Sequence, residues 1–346
     1  MPSTLTPPIM KLTPWLAQAI SAGASDLHLS AGQAPRARIQ GQMAVLSETP
    51  LSVDDARQLQ QEALLSAGLG VSMQDADFAL SVPGLGRFRA NAFTHLLGPG
   101  LVLRVLPSTV PTLSQLGVPI AVQHWLDACD GLILVTGPTG SGKSTTLAGL
   151  VQHLNQTKDG HIITLEDPIE FVHASQRCLI HQREIGRHSH SFGSGLRAAL
   201  REDPDVILVG ELRDLDSIRL ALTAAETGHL VLASLHTRSA AQTMSRLVDV
   251  FSGADKALVR NQLSLSLRGV LAQQLMTSLQ GPRIAAHEVL CCTPAVRHMI
   301  REDRLSQLPS AMQTGAAHGM QTLQQALQTL VSQGRVPPSQ LQALDG

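Results

Sequence analysis

Gly137-Pro138-Thr139-Gly140-Ser141-Gly142-Lys143-Ser144, followed by Thr145, spells G-x-x-x-x-G-K-[ST]. Residues of these types in this order suit one chemistry, the cradling of phosphate groups. Glycines let successive backbone N–H groups turn toward one anion, and a helix amino end adds positive potential. A lysine here reaches the outer phosphates, and a serine hydroxyl can ligate Mg2+. Lys143 and Ser144 are the candidates for those two tasks. A glycine-rich turn that fits by accident is the bland alternative. The apolar run Leu132–Val135 before the motif and the helical spacing of Leu147, Leu150, Val151 and Leu154 after it argue instead for a nucleoside triphosphate site.

Such a site needs an acid at another strand end, to hold the metal or activate water. Ile162–Leu165 runs into Glu166 and Asp167, and Val206–Val209 runs through Gly210 into Glu211. Gly210 stands where a hydrophobic run is usually followed by Asp, which makes Glu211 the candidate general base or water-orienting residue. Glu166 is the candidate for polarising water or supporting Mg2+. Taken singly, each also reads as a surface carboxylate.

His229 and His236 bracket the apolar run Leu230–Leu235. Six strand residues at about 3.3 Å each hold the two imidazoles about 20 Å apart, too far to share a metal ion. They would act separately. His236, beside Thr237 at the carboxyl end, lies where α/β sheets place ligands and could sense a terminal phosphate; a solvated strand-end histidine is the alternative. His181, His188 and His190 are irregularly spaced in what reads as a loop, and are expected to be solvated rather than metal-binding.

The elements that must position these groups follow from periodicity. The β-branched runs near residues 132, 162, 206 and 230 alternate with helical spacings such as Leu215, Ile218 and Leu222, which predicts a parallel sheet with helices on both faces. After Ala254 the chain reads as helical except for a strand at Arg283–Val289. Before this α/β part lies a small α+β domain. It begins with a helix capped by Thr13 and ending near Gly23, then alternation at Asp26–Ser30, Arg36–Leu46 and Phe78–Ala92, with a helix over Val53–Ala67. Prolines 107, 111 and 119 mark the join. The expected division is 1–106, a linker at 107–118, and 119–346.

Composition narrows the function classes. Across 346 residues, 26 Lys+Arg against 27 Asp+Glu argue against a polyanion as main partner, and 2% aromatics with no Tyr argue against a base-stacking platform. Cys129, Cys178, Cys291 and Cys292 form no C-x-x-C pair, so reduced thiols are expected. Met1–Met10 carries no Lys or Arg and three prolines, unlike a secretory signal, and the run Leu132–Val135 is too short to cross a bilayer. A cytoplasmic protein without direct membrane insertion and without a nucleic-acid partner is the expectation.

Several stretches taken together carry a resemblance. They are the P-loop, Thr164–Phe171 (TLEDPIEF), Leu200–Asp214 (LREDPDVILVGELRD), Leu220–His236 (LALTAAETGHLVLASLH), Met320–Leu323 (MQTL) and Ala24–Gly32 (ASDLHLSAG), with further detail at Gln182–Glu184 and Ala285–Val289. They resemble the secretion-superfamily ATPases, and within them the PilT-type motors of type IV pilus retraction. The resemblance implies a PAS-like amino-terminal domain, a RecA-like P-loop ATPase domain with a helical carboxyl-terminal part, ATP and Mg2+ as ligands, and a homohexamer. By the same resemblance Gly137–Ser144 is Walker A, Glu166 belongs to the Asp box, Glu211 is the Walker B glutamate, and His229 and His236 form the His box. Arg87, Arg89 and Arg104 match arginines brought toward the phosphates when the two domains close, although each also reads as an ordinary strand-face cation. The implied partners are an inner-membrane pilus platform protein and a paralogous retraction ATPase, and the implied place is the cytoplasmic side of the inner membrane at the pilus base. Two departures stand out: Leu96-Leu97 where the family has Asn-Arg, and Ala295-Val296-Arg297-His298-Met299-Ile300 where it has Ala-Ile-Arg-Asn-Leu-Ile. A pilus or secretion assembly ATPase is the nearest rival, though such proteins commonly carry a four-cysteine module. A nucleic-acid translocase and a non-hydrolysing ring component are more distant ones.

Overall fold

The computed structural model describes residues 11–71, 75–107, 109–279 and 281–342, so the leader Met1–Met10 lies outside the described residues. The chain divides into two compact units, Met1–Thr109 with Pro168–Phe171, and Val110–Asp167 with Val172–Gly346.

The first unit opens with α1 (Leu12–Ser21), which starts ahead of the expected cap. Lys11 occupies the N-cap position without a side-chain cap bond, and Thr13 lies inside the helix. The reason is tertiary. Leu12 is fully buried, and Glu62 Oε2 accepts from the backbone N–H groups of Lys11 and Leu12, doing from a distance what a local cap would do. Then follow β1 (Ala24–Ser30), β2 (Arg36–Ile39) and β3 (Gln42–Val45), with Gln40 and Gly41 both at positive φ in the tight turn between the last two. Ser52 caps α2 (Val53–Ser66), with Asp54 and Asp55 in its first turn. The unit closes with β4 (Ala76–Val82), β5 (Gly86–His95) and β6 (Gly98–Leu106). All six strands pair antiparallel in the order β3-β2-β1-β6-β5-β4. On β4, strict alternation of burial marks one core face. Leu96 and Leu97 form the β5–β6 turn, and Leu96 is 99% exposed.

The second unit runs α3 (Ile120–Leu126), β7 (Gly131–Thr136), α4 (Lys143–Thr157), β8 (Gly160–Glu166), β9 (Cys178–Glu184), α5 (Phe192–Ala199), β10 (Val206–Val209), α6 (Leu215–Glu226) and β11 (Leu230–Leu235). It continues with α7 (Ala240–Asp249), α8 (Gly253–Ser266), β12 (Leu267–Met276), β13 (Ile284–Cys291), α9 (Pro294–Arg301), α10 (Leu308–Thr314), α11 (Leu323–Ser332) and α12 (Ser339–Gln342). The seven strands lie in the order β13-β12-β7-β11-β10-β8-β9, all parallel except β13, which pairs antiparallel with β12. Every residue of β7, β10 and β11 is buried, which is why these strands appear in the sequence as unbroken apolar runs.

Two further expectations need correction. The mainly helical reading after Ala254 holds through α8 and then fails, because Leu267–Met276 is a ten-residue strand. Its apolar residues at 267, 270, 271 and 275 fall at helical spacing. Hydrogen bonding to β7 on one side and β13 on the other overrides that pattern. His181 is not in a loop but on β9, where its Nδ1 lies 2.9 Å from His161 Nε2; His188 and His190 do lie beyond the strand. Among the described residues, no cluster of three His, Cys, Asp or Glu side chains could hold a metal ion, and no helix is long and apolar enough to cross a membrane.

Candidate active site

Three neighbouring strands, β7, β11 and β10, end together and set the geometry. β7 delivers the chain into the glycine-rich loop, where Gly137, Gly140 and Gly142 adopt φ of 147°, 77° and 87°. A side chain at Gly137 would bring its Cβ to 2.3 Å from Gln273 O and 2.5 Å from Ser141 Oγ, so only glycine fits. At Gly140 a Cβ would meet nothing within 4 Å, which leaves the outer side of the loop open. Gly142 then caps α4, whose first residues are Lys143, Ser144 and Thr145.

Lys143 is buried, and its Nζ donates to the carbonyls of Gly137 at 2.9 Å and Pro138 at 3.1 Å. The ammonium is thereby held over its own loop. Ser144 is exposed on the first turn of α4. This cradle fits a polyphosphate: space is open beside Gly140, and a lysine and a helix amino end border the loop.

His236, just past β11, joins the loop to the acid. Its Nδ1 lies 3.4 Å from both Lys143 Nζ and Thr139 Oγ1, and its Nε2 lies 3.1 Å from Glu211 Oε1. The Glu211 side chain is only 18% exposed. Its second oxygen, Oε2, accepts from Arg213 Nε at 2.7 Å, and the same guanidinium lies 3.7 Å from Asp167 Oδ2. The carboxylate is therefore held at both oxygens. Ser234 Oγ donates to Gly210 O at 2.5 Å, tying the turn before Glu211 back onto β11.

Glu166, at the end of β8, accepts at Oε1 from Thr164 Oγ1 at 2.7 Å and from Gln182 Nε2 at 3.0 Å. Gln182 Oε1 in turn accepts from the His173 backbone N–H at 2.8 Å. His229 is at the opposite end of β11 from His236. Its Nδ1 lies 3.1 Å from Ala224 O at the end of α6, and its carbonyl accepts from Gly131 N.

The three arginines lie in the first unit and are engaged there. Arg87 donates to the carbonyls of Ile169 and Glu170, and Arg89 pairs with Asp77. Arg104 pairs with Asp26 at 2.8 Å. Burial pushes the Asp26 carboxyl up, but hydrogen bonds from Arg104 and Ser25 outweigh it, and its pKa lies below the ordinary carboxylate value.

The sequence profile described as "Type II/IV secretion system protein" matches residues 4–283. The chain belongs to the type II/IV secretion system protein family. Among its relatives, the type IV pilus retraction ATPase PilT of Pseudomonas aeruginosa is 50% identical over 329 residues, covering 94% of this chain and 96% of PilT. The uncharacterized protein YggR of Escherichia coli K12 is 52% identical over 329 residues, covering 94% of this chain and all of YggR. A crystal structure of the pilus retraction motor PilT with bound ADP superposes with a TM-score of 0.85 at 42% identity, covering 94% of each chain. The chain is an ATPase of this family, and its mixed α/β architecture is that of the PilT structure.

Three polar residues of this candidate site have no role assigned by the sequence: Arg213 on Glu211 and Gln182 on Glu166 lie inside stretches that carry the resemblance, whereas Gln273 beside the loop lies outside them all. Arg213 was within reach, standing two residues from Glu211 in a run of acids. Gln273 sits 132 residues from the carbonyl it binds.

Proposed function

We propose that this ATPase is a hexameric motor that hydrolyses Mg·ATP and powers type IV pilus retraction, and with it twitching motility. The observation that carries this reading is the extent of the PilT match, 94% of this chain and 96% of the relative, so that both units correspond and not only the P-loop. Glu211 orients the attacking water and accepts its proton, and His236, poised between Glu211 and Lys143, reports the terminal phosphate to the base. Bound Mg2+ would neutralise charge on the phosphates, with Ser144 as its ligand and Glu166 as support. Arg87, Arg89 and Arg104 are cations that would exchange their present partners for phosphate oxygens during the cycle. His229 holds the amino end of β11. Residues 1–106 and 119–346, joined through 107–118, act as the units whose nucleotide-driven rotation does work on an inner-membrane platform protein at the pilus base, from the cytoplasmic side. A PilU-like paralogue is a fitting companion, since PilU of Pseudomonas aeruginosa is 37% identical over 324 residues. The deciding experiment is a gene deletion in the source strain. Hyperpiliated cells that do not twitch support the reading, and bald cells overturn it in favour of assembly.

A further inference from the structure

Gln273 and Gln274 are adjacent on β12, and the strand's pleat sends them apart: Gln273 is 2% exposed and Gln274 lies in solvent. The buried one points at the phosphate-binding loop. β12 runs parallel to β7 with Ala272 opposite Thr136, so Gln273 comes level with the first residue of the loop. Its Nε2 donates to Ser141 O at 2.6 Å. Its backbone carbonyl is the atom that a side chain on Gly137 would strike, and its Nε2 lies 3.2 Å from where a Cβ on Gly142 would be. Gln273 thus touches the loop at its beginning and at its end.

The peptide group turns this contact into a statement about phosphate binding. In a trans peptide the C=O of Ser141 and the N–H of Gly142 point in opposite directions within one plane. Fixing the Ser141 carbonyl on Gln273 therefore aims the Gly142 N–H the other way. Gly142 begins α4, where a phosphate would take its backbone donors. Without that anchor Gly142 offers no Cβ to oppose a turn of the unit. The amide is held for this one bond: Gln273 Oε1 is buried and has no partner among the described residues. Thr136 Oγ1 and Ser141 Oγ are likewise buried and unpaired. Local satisfaction of polar groups thus does not account for the choice of residue here.

We infer that Gln273 is a positioning residue for nucleotide binding, which sets the Ser141–Gly142 peptide so that the Gly142 N–H faces the phosphates. The inference rests on the P-loop being the nucleotide site, and the experiment separates the two. ADP and ATP, each with Mg2+, are titrated into the full-length protein and into Gln273→Met, which keeps the length and loses the donor. They are also titrated into Gln273→Glu, which keeps the shape and sets an acceptor against the Ser141 carbonyl. Gln274→Met serves as the exposed neighbour control, and Lys143→Ala tests the site itself. The expected result is a Kd for ADP and a KM for ATP raised by about tenfold in Gln273→Met and by more in Gln273→Glu, with kcat changed less than KM. Gln274→Met should match the wild type. Melting curves without nucleotide identify which variants are folded. A folded Gln273→Met that binds ADP within twofold of wild type overturns the inference, and so does a fall in kcat at unchanged KM. If Lys143→Ala binds ADP normally, the reading of the P-loop fails instead.

Discussion

His236 Nε2 lies 3.1 Å from Glu211 Oε1 while its Nδ1 lies 3.4 Å from Lys143 Nζ, so one imidazole spans from the lysine of the glycine-rich loop to the acid. A ring bonded on both sides can register what happens at one nitrogen and alter what the other offers. His236→Ala should therefore lower kcat by roughly tenfold to a hundredfold while changing ATP affinity much less. Steady-state phosphate release over a range of ATP concentrations measures both. An unchanged kcat would remove His236 from the mechanism.

Glu211 and Lys143 separate hydrolysis from binding. Glu211→Gln keeps the shape and loses the basic oxygen, so the variant should hold ATP but turn it over roughly a hundredfold more slowly or worse. Lys143→Ala should lose nucleotide binding. Filter binding of labelled ATP beside phosphate release distinguishes the two outcomes, and near-normal release by Glu211→Gln would sink its assignment as the base.

Arg213 touches Glu211 at 2.7 Å and stands 3.7 Å from Asp167. The guanidinium faces the two carboxylates through separate nitrogens in fixed geometry, which a lysine ammonium does not reproduce. Arg213→Lys should consequently recover only part of the turnover lost in Arg213→Ala, with ATP affinity similar in both. Equal activity of Lys and wild type would show that charge alone suffices.

Burial also leaves a mark on the pH dependence of stability. His287 is 3% exposed on β13, and desolvation, opposed in part by a backbone hydrogen bond with Gly117, pushes it down to about 4. His173 is pushed down to about 4 by burial alone. Each folded-state value lies below the ordinary 6.5, so the unfolded chain binds more protons between the two. The stabilisation is complete above about pH 6.5 and is lost as pH falls toward 4, at about 1.4 kcal/mol per pH unit for a fully buried group. Urea unfolding at pH 7 and pH 5 should show this loss, and His287→Gln should flatten it. An equal slope in that variant would remove His287 as its source.

Gly137→Ala asks whether the loop can yield. A Cβ there would lie 2.3 Å from a strand carbonyl at φ 147°, so the loop or β12 must shift. The expected cost is more than about 1 kcal/mol, together with loss of nucleotide binding. Thermal melting with and without ADP reads both effects.

Much of the fold and site was legible because it is local. The P-loop, the strand-end acids and the histidines around β11 announce themselves through neighbours in sequence, and strands buried on both faces give unbroken apolar runs. What was not legible depends on partners distant in the chain. Leu267–Met276 carries a helical spacing that two flanking strands override. The cap of α1 is Glu62, about fifty residues away, so Thr13 was misread as the cap. The grip of Gln273 on Ser141 depends on two strands that meet only in the sheet.

β11 acts as a ruler inside the ATPase unit. It is clamped between β7 and β10, its near end is fastened where His229 O receives Gly131 N, and its far end releases His236 onto Glu211. One residue added to or removed from Leu230–Leu235 would displace that imidazole by about 3.3 Å and turn the following side chains to the opposite face. The six-residue interval between the two histidines is thus a length the sheet cannot renegotiate. Drift in this segment can change which apolar side chains fill it, but not how many there are.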